Sequence, residues 1–175
     1  PTDTSDDPMT YALLKSAHLL AVIVWLGGMF FALNALRPAA MSLPAVQRVP
    51  LMALALGRFF KAVLVAVCVI LASGLGMWGT AVSSAHQTGA RFSAPLEWLV
   101  MAGLGLVMML IFGHIRWALF ARLQRAVIAA DWPAGGAALA AIRAWVGVNL
   151  ALGVVIVDRP LVAAGDHHQW PIGLV

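Results

Sequence analysis

The sequence predicts an all-α integral membrane protein, a four-helix bundle running up-down-up-down with both termini on the periplasmic side. Three observations carry this. Apolar residues make up 62% of the 175-residue chain and charged residues 10%, with mean hydropathy +0.93. A soluble domain runs nearer about 45–50% apolar and about 25% charged. Four apolar runs are each long enough to cross about 30 Å of hydrocarbon, which takes about 20 helical residues. None alternates as a barrel strand would, and in lipid only a helix pairs every backbone N–H and C=O within its own segment. The length fits a single membrane domain over residues 1–175.

The first span is expected over about 11–36, from Tyr11 to Leu36. It follows an acidic head (Asp3, Asp6, Asp7) with no basic n-region, and its apolar run is too long for a secretory h-region, so it reads as a span rather than a leader. The second covers about 62–82, the third about 96–115 with an interfacial helix continuing to Ala130, and the fourth about 137–157. Residues 83–95 form an outer loop and 158–175 an outer tail.

Orientation follows from the basic residues. Arg37, Arg48, Arg58, Lys61, Arg116, Arg122, Arg125 and Arg143 fall on one side, and Lys15, Arg91 and Arg159 on the other. The side with eight faces the cytoplasm of a bacterial inner membrane, and Trp78, Trp98, Trp117 and Trp170 fall near the interfaces. The pI of about 10.2 does not signal nucleic acid, because the cations sit at the ends of apolar runs and form no stripe. Cys68 is the single cysteine, which excludes an intrachain disulfide and a multi-cysteine zinc site.

An ionisable or strongly polar residue inside a membrane segment is costly and is by default a functional candidate. His18 lies about one turn inside the outer end of the first span, and His114 about one turn inside the inner end of the third. Asn149 is mid-way along the fourth and Ser73 is in the second, while His86 is in the outer loop and His167 and His168 are in the tail. Helical rise sets His18 and His114 roughly 20–25 Å apart in depth, too far to share one metal. They suggest two sites, one near each face.

The main expectation is a haem b protein with one or two haems, transferring electrons across the membrane or from quinol, with a quinone or periplasmic redox partner. His18 is then the outer ligand, partnered by His86, His167 or His168, and His114 the inner one. Arg58, Arg116 or Arg122 would pair with propionates, and glycines such as Gly28, Gly74, Gly76 and Gly153 would leave room for a flat ring. Each feature has a plainer reading: close helix packing for the glycines, a hydrogen bond to Asn149 or a backbone carbonyl for His18, and interface anchoring for His114. Copper handling is the alternative, with His18, His86, His167, His168 and Met9 or Met77 as an outer site, since soft thioether and imidazole donors suit copper(I). A third reading is an accessory subunit of a respiratory assembly, as a homo- or hetero-oligomer. Met29, Met101 and Met108–Met109 read as core filler rather than a copper relay, and Cys68 as an inert small hydrophobe.

Several motifs resemble a known group. Lys15-Ser16-Ala17-His18 with Trp25, Gly27-Gly28 and Phe30-Phe31 resembles the first helix of CopD-family membrane proteins and HemJ-type protoporphyrinogen oxidases. Gly57-Arg58-Phe59 through Ala72-Ser73-Gly74-Leu75 resembles the start of the CopD domain. His114-Ile115-Arg116 with Arg122, and Arg143 leading to Val148-Asn149-Leu150, also fit. The resemblance implies copper resistance or uptake on the CopD side, and haem b binding with protoporphyrinogen oxidation on the HemJ side. On the latter it would carry an essential role to His18 and the third-helix histidine to His114. The Asn149 region and the outer loop and tail depart from the HemJ pattern.

Overall fold

The computed structural model describes residues 8–89, 91 and 93–165, the side chains of residues 8 and 159–165 excepted. The tail histidines His167 and His168 lie outside the described residues. Every regular element among them is helical. In order they are α1 (Pro8–Phe31), a π-helical segment (Ala32–Leu36), α2 (Arg37–Met41), α3 (Ala45–Gln87), α4 (Leu96–Gly113), a second π-helical segment (His114–Leu119), α5 (Phe120–Ile128) and α6 (Trp132–Gly165). Joined across the π segments, these give four stretches long and apolar enough to span a membrane: Met9–Met41, Ala45–Gln87, Leu96–Ile128 and Trp132–Asp158.

Side-chain contacts fix the topology. Leu14 meets Gly76, His18 meets Gly74 and Phe59 fills the space at Gly28, so α1 and α3 run antiparallel. Leu26 packs on Gly153 and Met29 on Asn149, so α6 is also antiparallel to α1. Trp78 pairs with Trp98 at one end of α3, and Phe60 with Phe112 and Phe120 towards the other, so α4 is antiparallel to α3. The up-down-up-down bundle follows.

The helices extend beyond the limits expected for the spans. The 37–61 connection was expected between spans, yet α3 begins at Ala45 and continues unbroken to Gln87, taking in part of the expected 83–95 loop as well. Its early turns are amphipathic. Val49, Met52, Leu56, Phe60, Val63 and Val67 are buried at three- and four-residue spacing, while Arg58 and Lys61 are exposed. Pro44 leaves its carbonyl to accept from the Gln47 and Arg48 N–H groups at 3.0 and 2.9 Å. Between α5 and α6 the chain turns through Ala130 at φ 53°. There the Asp131 N–H reaches Ala126 O at 2.9 Å and the Ala130 N–H reaches Val127 O at 3.1 Å, a Schellman closure made without glycine. Asp131 then caps α6, its Oδ1 accepting from the Ala134 N–H at 2.9 Å.

Most of the buried side chains lie in the half of the bundle towards the arginine-rich end. Phe60 forms edge-on pairs with Phe112 (6.0 Å between centroids) and Phe120 (5.2 Å), and Trp25 with Phe112 (6.1 Å). Such pairs contribute about 0.5–1.5 kcal/mol each beyond area burial. In lipid the apolar surface gains little from leaving its solvent, so close packing of this kind carries helix association. In the other half Leu13, Leu20, Leu75, Leu96 and Leu99 are exposed, as side chains facing lipid would be.

Candidate metal-ligating site

His18 sits on the face of α1 turned to α3. Its Nδ1 lies 3.0 Å from Ser73 Oγ. The same hydroxyl is 2.6 Å from Val69 O and 3.2 Å from Ile70 O. A serine has one proton to give. The shortest contact assigns it to the Val69 carbonyl, which leaves the oxygen to accept from His18 Nδ1–H. A neutral imidazole protonated at Nδ1 carries its lone pair at Nε2, the atom that ligates metal. Orientation of a ligating histidine by a hydrogen bond at its other nitrogen is the usual outer-sphere arrangement. Ser73 is buried and His18 half-buried, so the relay is shielded while part of the ring stays accessible. Gly74 lets the ring lie against α3: a Cβ there would stand 3.7 Å from His18 Cε1, ordinary contact.

The partner differs from the expected one. Asn149 does not reach His18. It is 1% exposed, its Nδ2 donates to Met29 Sδ at 3.7 Å, and its Oδ1 has no partner among the described residues. In the sequence Ser73 stands out as a polar residue in an apolar span and as part of the CopD-like motif. Its pairing depends on the α1–α3 register, which no local pattern reveals.

The remaining candidates are spread out. His114 opens the second π segment, is exposed, and stands edge-on to Trp145 at 5.4 Å. Trp25 faces Phe112, so His18 lies seven residues to one side of that level and His114 two to the other. At 1.5 Å per residue this is about 14 Å along the axis, less than the expected 20–25 Å and still too far for one ion. His86 is exposed near the end of α3. Arg58 and Arg122 are exposed, and the Arg116 guanidinium lies 5.4 Å over the Phe120 ring. Cys68 is exposed on α3. Met77 is half-buried one turn beyond Ser73. At four-residue spacing Met77 shares the α3 face that carries Ser73. Among the described residues no three His, Cys, Asp or Glu side chains gather around one point.

A haem with two imidazoles finds no support in these residues. Four of the expected ring-gap glycines are filled by side chains: the space at Gly28 is taken by Phe59, at Gly76 by Leu14 (3.0 Å), at Gly153 by Leu26 (3.0 Å) and at Gly74 by His18 itself. What the site offers is one oriented imidazole, a donor that copper accepts.

At the opposite end, a cavity of about 230 Å³ is lined by Arg37, Arg48 and Arg143 together with apolar side chains including Leu33, Met52 and Leu139.

No curated protein and no solved structure matches the chain. The family model for Copper resistance protein D matches residues 53–164, a stretch that includes Ser73, Gly74, His114 and Asn149 and begins after His18. With four membrane-length helices bundled over that same stretch and the one before it, the chain belongs to the CopD family of multi-pass membrane proteins.

Proposed function

We propose that this protein handles copper(I) at a bacterial inner membrane, taking the ion at His18 on the periplasmic side and passing it into or across the bundle. The observation that carries this reading is the His18–Ser73–Val69 relay, which presents an imidazole Nε2 lone pair inside an apolar segment. The family match supports copper as the cargo. The distribution of basic residues supports the orientation, since eight of eleven lie at the end away from His18. Met77 would supply the second, soft donor, and linear two-coordinate binding would hold copper(I) loosely enough to release it. Deeper in the bundle Met29 and Asn149 lie eleven residues along from His18 in α1 numbering, near the same helical face. A thioether and an orphaned amide oxygen there would form the next polar stop.

The test is copper(I) competition against a chromophoric chelator, using purified full-length protein in detergent. Stoichiometric binding is expected, weakened at least 100-fold by His18→Ala and at least tenfold by Met77→Leu. Cells expressing the wild type should differ in copper accumulation from cells expressing His18→Ala. Undiminished binding by His18→Ala would remove the assignment. A red preparation with a Soret band lost on His18→Ala would replace copper with haem.

A further inference from the structure

Three arginines converge where no carboxylate meets them. The cavity at the basic end draws its walls from α1's continuation, α3 and α6. At about 30 Å³ per liquid water, its 230 Å³ is too large for a packing void. Arg37 and Arg48 are half-buried and Arg143 is exposed at the rim. Arg48 donates from Nη1 to Leu43 O at 3.5 Å, which holds the side chain across the short turn between α2 and α3. Asp131, the acid nearest this end in sequence, spends its Oδ1 on the cap of α6. Among the described residues none of the three guanidinium groups has an ion pair.

Half-burying two guanidinium groups without an anion is costly, and adding a third charge at the same cavity raises the cost. Packing does not require it, because Leu33, Met52, Leu56, Leu139 and Val146 already line the cavity with apolar surface. The combination is amphiphilic: a cationic rim able to take a phosphate by forked hydrogen bonds, and an apolar wall continuous with helices that stand in lipid. Basic pockets between transmembrane helices take anionic lipid headgroups by the same chemistry. We propose that this cleft binds the phosphate headgroup of an anionic membrane lipid, with an acyl chain laid along its apolar wall. The lipid thereby ties α1, α3 and α6 together at the end opposite His18. This inference does not depend on the metal the protein handles.

Lipid binding to the purified full chain, followed by native mass spectrometry and thermal unfolding, tests it with phosphatidylglycerol, phosphatidylcholine and soluble glycerol phosphate as probes. Phosphatidylglycerol is expected to bind at least tenfold more tightly than phosphatidylcholine and to raise Tm by several degrees more. That preference should fall at least tenfold in an Arg37→Gln/Arg48→Gln double variant and persist in Arg58→Gln, which keeps the cleft but removes a nearby exposed charge. Arg143→Gln changes an exposed residue at the rim, so it folds even where the double variant fails, and it should weaken the lipid at least threefold. Equal binding of the two lipids overturns the proposal. So does an Arg143→Gln protein that binds as the wild type does, or an Arg58→Gln loss as large as that of the cleft variants. Glycerol phosphate stabilising as strongly as phosphatidylglycerol would also overturn it, because the apolar wall would then contribute nothing.

Discussion

A serine hydroxyl has one proton, and its destination decides what His18 offers. Held on the Val69 carbonyl at 2.6 Å, it makes Ser73 an acceptor and pins the imidazole proton at Nδ1. Ser73→Ala removes that constraint without emptying the core, since only one oxygen is lost. Copper(I) affinity is expected to drop about 10–100-fold, the usual range when a ligating histidine loses its orienting partner. Chelator competition measures it, while Tm should stay within a few degrees of wild type. A drop as large as that of His18→Ala would mean that Ser73 ligates rather than positions. Asn149 makes a second case. Its Oδ1 is buried without a partner among the described residues, a state that costs about 1–3 kcal/mol. Asn149→Leu removes the penalty at similar volume, so the variant is expected to unfold at the same or higher temperature while copper movement into cells falls. Stability that rises with transport unchanged would make the residue a packing accident. Both residues could be noticed in the sequence as polar groups in apolar runs. Their roles could not, because His18 lies 55 residues from Ser73 and Met29 lies 120 from Asn149, so contact depends on how the helices register.

At the scale of elements, hydropathy located four long apolar helices and left unread where one of them starts. The segment from Ala45 to Lys61 mixes Arg48, Arg58 and Lys61 with apolar residues, and Pro50 adds a break signal, so by hydropathy it resembles a connection. Its apolar positions nevertheless recur at helical spacing from Val49 to Val67, and that periodicity, followed inward from the span, would have extended α3. The two π segments escaped for a different reason. Nothing in the composition of Ala32–Leu36 or His114–Leu119 marks them. The turn into α6 makes a quantitative prediction. Ala130 adopts a left-handed conformation at φ 53°, which costs an L-residue about 1–2 kcal/mol. Glycine there relieves the strain and loses about 0.5–1 kcal/mol in chain entropy. Ala130→Gly is therefore expected to stabilise the protein by up to about 1 kcal/mol, read as a rise in Tm with copper affinity unchanged. A fall in Tm would show that another turn geometry is populated.

Over the whole molecule, two kinds of polarity separate along the bundle. The oriented imidazole of His18 stands at one end, and the arginines gather at the other, around a cavity and beside the densest packing. For copper uptake the first end must face the periplasm, which is the orientation the positive-inside rule predicts. Ser93, exposed before α4, and Ser42, exposed after α2, report the two faces. Each tolerates a serine-to-cysteine change, and replacing Cys68 by serine clears the background. In intact spheroplasts, Ser93→Cys is expected to react with a membrane-impermeant maleimide, and Ser42→Cys only after permeabilisation. The reverse pattern would leave the bundle intact and turn it over. His18 would then meet copper from the cytoplasm, the arginine cleft would face the outer leaflet, and the protein would have to export the ion rather than admit it.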